Sequence, residues 1–148
     1  MIEVYTRKGF TLMECVLAFC LFSIVITTAI SLYLTGYKIY RRQENLVEIE
    51  QNSLVILNRI SETLRRTDNL SQNLYVSDTV LIIENTRYYY QSGNVHERIG
   101  MGTNNLGGNI SLFEPRLEDG FLTVKLEGID NQGGSPFSIE QVFFIGDE

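Results

Sequence analysis

Residues 15 to 34 read CVLAFCLFSIVITTAISLYL, twenty positions without a charge, a proline or a glycine. At 1.5 Å per residue such a helix covers about 30 Å, the thickness of a bilayer core. A chain of 148 residues offers too small a domain to wrap a run of that length as an ordinary core helix. A cleaved secretory signal would carry a shorter apolar region, about 7–15 residues, closed by a small-x-small site. Here Ala29 is followed by Ile30, Ser31 and Leu32, which is a poor site for that cleavage. The run therefore predicts a membrane-crossing helix.

Outside this run the sequence turns acidic. Beyond residue 42 there are 7 basic and 16 acidic residues, a balance of −9 within a whole-chain charge of −6. That balance argues against duplex nucleic-acid binding, which needs a basic face to release counterions. Two Cys cannot make a secreted disulfide framework, and a single His leaves little room for a Cys/His zinc site. Cys15 and Cys20 lie five apart inside the run, off a common helix face, and read as small packing residues. Palmitoylation is conceivable only at Cys15.

Immediately before the run stands Arg7-Lys8-Gly9-Phe10-Thr11-Leu12-Met13-Glu14. A carboxylate at the edge of an apolar span opposes insertion, so Glu14 either complements the helix N-terminus or waits for a partner charge. The basic pair, the glycine, the Phe-Thr-Leu-x-Glu element and the apolar run together resemble the class III signal of type IV prepilins and pseudopilins. The resemblance covers about the first 40 residues. It implies that a membrane aspartyl peptidase, the prepilin peptidase, cleaves after Gly9 and that Phe10 becomes the N-methylated first residue. It implies that Glu14 pairs with the terminal amine of a neighbouring subunit, an assembly lock rather than a catalytic acid. It also implies that the C-terminal domain lies outside the bacterial cytoplasmic (inner) membrane before the subunit joins a pilus or pseudopilus. The basic residues oppose that orientation: Arg7 and Lys8 precede the run, whereas Lys38, Arg41 and Arg42 follow it.

Helical periodicity continues past Gly36. Ile49, Ser53, Ile56, Leu57, Ile60 and Leu64 form an amphipathic stripe. Glu44, Glu48, Arg59, Glu62, Arg65 and Arg66 fall mostly away from it, and Thr67-Asp68-Asn69 reads as the stop. One helix is expected from about 10 to 66, about 85 Å long, with a bend tolerated near Gly36. A short coiled coil is the alternative use of the stripe.

From residue 73 the period changes to two. Strands are expected at 73–77, 79–84, 87–91, 95–99, 110–114, 121–128 and 137–145, with hairpin turns at Asn85-Thr86 and Ser92-Gly93-Asn94. The glycine-rich residues 100–109 and the segment from Asp130 to Pro136 read as loops. The fold class is α+β and pilin-like: a long N-terminal helix, transmembrane in its first half, packed on an antiparallel β-sheet. Three parts are expected: a leader at 1–9, a transmembrane and assembly half at 10–36, and a soluble head at 37–148 with helix 37–66 and sheet 73–145.

Catalytic patterns are absent from the sequence. His96 has no recognisable nucleophile or metal partner, and the glycine stretch lacks the lysine of a phosphate loop. Asp130-Asn131-Gln132-Gly133-Gly134 lacks the spaced carboxylates of a calcium loop, although some pseudopilins bind calcium near the C-terminus. No cofactor and no metal site is expected, and no enzymatic activity. Tyr88, Tyr89 and Tyr90 read first as strand aromatics, and second as a base-stacking patch beside Arg87 that the acidic surroundings disfavour.

The span lacks the proline, and the C-terminus the disulfide loop, that major pilins often carry. The segment from Glu44 to Arg66 is loosely similar to the J minor pseudopilins of type II secretion. Val95-His96-Glu97-Arg98 with its following glycines is loosely similar to a minor pseudopilin of Gram-positive competence systems. The expectation is a minor pilin or pseudopilin that helps initiate or cap a filament serving secretion, DNA uptake or adhesion. Its partners would be other major and minor pilins, and lipid before assembly. The rival reading is a single-pass sensor or scaffold with an extracytoplasmic β-rich domain.

Overall fold

A computed structural model describes residues 11–129 and 137–146. The chain divides into two compact units, Met1–Arg41 and Arg42–Glu148. Helix α1, Leu12–Arg66, is a single 55-residue element, and Gly36 remains helical within it.

In the first unit the helix is apolar and uncovered. It contains a stretch long and apolar enough to cross a membrane, none of it buried. This is compatible with a single-pass membrane anchor. Its serine and threonine hydroxyls need no outside partner. Ser23 donates to the Phe19 carbonyl at 2.7 Å, Thr27 to Ser23 at 2.7 Å, Ser31 to Thr27 at 2.9 Å and Thr35 to Ser31 at 2.9 Å. An unbonded hydroxyl in hydrocarbon is costly, and this back-bonding removes the cost without breaking the helix.

In the second unit the C-terminal part of α1 packs on antiparallel sheets. Its buried residues are Ile49, Ser53, Ile56, Leu57, Ile60 and Leu64, the stripe read from the sequence. A short helix α2, Leu70–Asn73, follows, entered through Asn69 at φ 53°. Among the described residues eight strands come next: β1 Leu74–Ser77, β2 Val80–Ile83, β3 Thr86–Gln91, β4 Asn94–Ile99, β5 Gly102–Gly107, β6 Ile110–Glu118, β7 Phe121–Gly128 and β8 Ser138–Phe144. They form two sheets, ordered β1-β2-β3-β4-β5 and β6-β7-β8, all neighbours antiparallel.

The structure corrects the sequence reading in four places. The single expected sheet is two. Residues 100–109 are not a loop, because Gly102–Gly107 pairs with β4 as an edge strand after a tight turn through Gly100 at φ 58°. β6 runs on to Glu118, past Pro115, since β6 is also an edge strand where proline's missing donor is tolerated. The first hairpin turn is Glu84-Asn85 rather than Asn85-Thr86, with Glu84 at φ 53°. A further hairpin turns at Asp119-Gly120, both residues at positive φ, the conformation of a two-residue type I′ turn.

One core joins the helix to both sheets. Ile56, Leu57, Ile60 and Leu64 meet Leu81, Ile83, Tyr88 and Val95 of the larger sheet, and Ile110, Phe113, Leu122, Val124 and Leu126 around the smaller. β7 shows the alternation plainly, with Leu122, Val124 and Leu126 inside and Thr123, Lys125 and Glu127 half-covered outside. Gly128 lets the helix approach: a Cβ there would stand 2.2 Å from Ile49 Cγ2, so no larger residue fits without displacing the helix.

Candidate functional site

Of the residues implied by the prepilin resemblance, Gly9 and Phe10 lie outside the described residues. Glu14 lies in the first turn of α1. Its carboxylate oxygen Oε2 accepts from the Thr11 backbone N–H at 2.9 Å and from Thr11 Oγ1 at 3.0 Å, and Thr11 Oγ1 in turn accepts from the Glu14 N–H at 3.3 Å. This is a capping box. The first turn of a helix has backbone donors with no partner inside the helix, and this reciprocal pair satisfies two of them. Its sequence signal is Thr-x-x-Glu before an apolar run. The carboxylate thus has a local role that needs no second subunit. Cys15 and Cys20 are free and exposed on the helix.

In the second unit a buried charge ties α1 to the larger sheet. β4 alternates, so Val95 and Glu97 point inward while His96 and Arg98 point outward. Glu97 is only 1% exposed. Arg59 Nε, 38 residues away on α1, donates to Glu97 Oε1 at 2.7 Å, and Nη2 donates to Oε2 at 3.3 Å. Tyr88, directly opposite Glu97 on β3, donates its hydroxyl at 3.2 Å, and Asn104 on β5 donates at 3.4 Å. The Tyr88 hydroxyl also meets Thr63 Oγ1 on the helix at 2.6 Å. Glu62 joins Arg59 at 3.0 Å and pairs with Arg66 as well.

The electrostatics follow from this geometry. Burial alone would raise the Glu97 carboxyl, but hydrogen bonds from Arg59, Asn104 and Tyr88 outweigh it and hold the group below the usual carboxylate range. Arg59 is driven further toward its charged form by the Glu97 carboxylate. Burial pushes the Tyr88 phenol up to about 12, reinforced by the nearby Glu97 charge. Two asparagines extend the tether: Asn52 donates to the Gly108 carbonyl at 3.1 Å and Asn45 to that of Ile129 at 3.3 Å. The sequence placed Arg59 on the solvent side of the helix. Instead its guanidinium reaches under the helix edge to a carboxylate that strand alternation puts inside.

Arg59, Glu97 and Tyr88 are hydrogen-bonded to one another and to Glu62, Thr63 and Asn104. Among the described residues no group of three or more His, Cys, Asp or Glu could hold a metal ion. The stretch Asp130-Asn131-Gln132-Gly133-Gly134 lies outside the described residues. The tyrosine triplet is split by the strand: Tyr88 is fully buried, while Tyr89 packs against His96 on the opposite face with ring centroids 5.3 Å apart. No protein-family model, no curated protein and no solved structure matches this chain.

Proposed function

We propose that this chain is a minor pilin or pseudopilin, a structural subunit that helps initiate or cap a type IV pilus-like filament. The observation that carries this reading is a juxtaposition along the chain. The element Gly9-Phe10-Thr11-Leu12-Met13-Glu14 leads directly into an uncovered apolar helix, and that same helix continues to Arg66 and ends packed on antiparallel sheets. A leader, a filament-core helix and a head are the three parts such a subunit requires. The role is non-enzymatic, and the partners are the prepilin peptidase, sibling pilins and, before assembly, membrane lipid.

Maturation removes the residues through Gly9 and leaves a methylated amine on Phe10. In an assembled filament that amine is withdrawn from water and needs a counter-charge, since an unpaired buried charge is strongly disfavoured. Glu14 of a neighbouring subunit supplies it. The capping box is compatible with this exchange, because a carboxylate has two oxygens and only Oε2 is engaged with Thr11.

The test is the intact mass of the protein extracted from the membranes of its native host. The mature form should lack the first nine residues and carry one methyl group. Gly9→Val should leave the full-length precursor in the membrane. A wild-type chain that keeps its N-terminus is the outcome of the sensor or scaffold reading and would overturn this one. Abundance in sheared filaments separates minor from major: as the most abundant pilin there, the chain would be a major subunit.

A further inference from the structure

The outer face of the five-stranded sheet, away from the core, places two arginines opposite one another. Arg87 on β3 and Arg98 on β4 are direct cross-strand partners, and both are exposed. Like charges in that position repel. Neither forms an ion pair among the described residues, although this unit carries more than twice as many acidic as basic groups beyond residue 42. Arg98 Nε donates to the Gly100 carbonyl at 3.3 Å, which orients the guanidinium and leaves its terminal nitrogens uncommitted.

Flat rings adjoin the pair. Tyr89, the next outward residue on β3, stacks on its cross-strand partner His96 at 25° between ring planes. The Arg87 guanidinium lies 5.9 Å from the centre of the Tyr89 ring. Val80, Arg87, Tyr89, Tyr90 and Arg98 line a hollow of about 320 Å³ at this place. The combination of two unneutralised guanidinium forks with a flat aromatic floor is suited to one chemistry: a phosphate for the arginines joined to a planar ring for the tyrosine and histidine.

We infer that this face binds a phosphate-linked nucleobase, as a free nucleotide or as a short single-stranded nucleic-acid segment. One phosphate between Arg87 and Arg98 removes their mutual repulsion, and the base lies on the Tyr89–His96 stack. The net acidity of the unit does not prevent this. Charges farther than about 10 Å are largely screened at ordinary ionic strength, whereas the two arginines act at contact. The same acidity excludes a duplex, which would have to lay many phosphates along the surface.

The experiment uses the full chain in non-ionic detergent micelles and a fluorescent short thymidine oligomer, followed by anisotropy. Saturable binding that weakens as salt is raised is expected. Tyr89→Ala should weaken it about tenfold, a typical loss for one stacked base, and Tyr89→Phe should retain it. Arg98→Ala should weaken binding about tenfold and flatten the salt dependence by about one phosphate. Its melting temperature should not fall, because a like-charge pair is relieved. Competition identifies the source: displacement by thymidine monophosphate assigns a nucleotide site, and displacement by unlabelled oligomer alone assigns a single strand. Absence of saturable binding, equal binding of an abasic sugar-phosphate chain, preference for a duplex, or unchanged affinity in Tyr89→Ala and Arg98→Ala would each overturn the inference.

Discussion

From Thr11 to Thr35 the side-chain hydrogen bonds of α1 close on residues three or four positions away. From Asn45 onward the helix also reaches far along the chain: Asn45 to Ile129, Asn52 to Gly108, Arg59 to Glu97 and Thr63 to Tyr88. The burial differs in the same sense. Leu17, Leu21, Ile24 and Ile30 are more than half exposed, whereas Ile49, Ile56 and Ile60 are fully covered. One continuous helix therefore has two modes of stabilisation. The first half is a self-satisfied polar backbone with an apolar surface that something other than water must cover. The second half finds its cover within its own chain. The first half leaves its apolar surface without a partner in its own chain, while the second half is held by tertiary partners.

The sharpest way to break that contrast is to place a charge in the second half. Ile56→Asp or Ile60→Asp puts a carboxylate at a fully buried position between helix and sheets with no partner. A loss of more than about 4 kcal/mol is expected, enough to unfold the head. The same change at Ile24, on the uncovered half, should leave the head's near-ultraviolet circular dichroism and its chemical unfolding midpoint intact. A head that stays folded with Asp at both 56 and 60 would show that the stripe is not the keel of the fold.

The stripe was legible because its spacing depends only on helix geometry, and burial on one face leaves a period any reader can count. The same holds for β7, where Leu122, Val124 and Leu126 alternate strictly. β5 was hidden because Gly102, Asn104, Asn105 and Gly107 carry no hydrophobic alternation. Its pairing is dictated by the open edge of β4, which is tertiary information. The Arg59–Glu97 tether was hidden for a related reason. Its partners are 38 residues apart, and each alone resembles an ordinary surface charge. At the N-terminus, the Thr11–Glu14 box is local, three residues apart as Thr-x-x-Glu, and so is legible from spacing alone.

The next effect tests the tether. Arg59→Ala leaves Glu97 buried without its cation, and a loss of about 3–5 kcal/mol is expected for such an orphaned charge. Adding Glu97→Gln to that variant should recover part of the loss, since a neutral amide can still accept from Tyr88. Chemical unfolding of Arg59→Ala, Glu97→Gln and the double variant beside the wild type measures the coupling directly. A double variant no more stable than Arg59→Ala would show that the arginine contributes packing rather than charge.

A smaller change comes from pH. The Tyr88 phenol is raised to about 12 in the folded state against about 10 when unfolded, so the folded chain holds this proton more tightly. Its contribution is complete below pH 10 and is lost as pH rises from about 10 to 12. The shift in Glu97 works the other way: a depressed carboxyl stabilises at neutral pH, and that contribution is lost as pH falls through its folded value. Tyr88→Phe should abolish the alkaline component specific to this site and reduce the acid limb without removing it, because Glu97 loses one of its donors and keeps Arg59 and Asn104. An unchanged alkaline limb in that variant would show that Tyr88 does not carry it.

The smallest expected change in stability separates the two roles of Glu14. Glu14→Gln keeps an acceptor oxygen for the Thr11 N–H and hydroxyl, so the capping box survives and the charge does not. Glu14→Leu removes both. If Glu14 serves only the cap, Gln should behave as wild type in assembly, and Leu should fray the first turn at a cost of about 1 kcal/mol or less. If Glu14 pairs with the amine of a neighbouring subunit, Gln and Leu should fail alike in co-assembly, although both are inserted and processed. Neither substitution should alter unfolding of the head, because Glu14 makes its hydrogen bonds to Thr11 in the unit that ends at Arg41. Co-purification with sibling pilins from membranes, scored for wild type, Gln and Leu, therefore discriminates cleanly. Gln assembling as wild type would leave the cap as the reason this carboxylate stands at position 14.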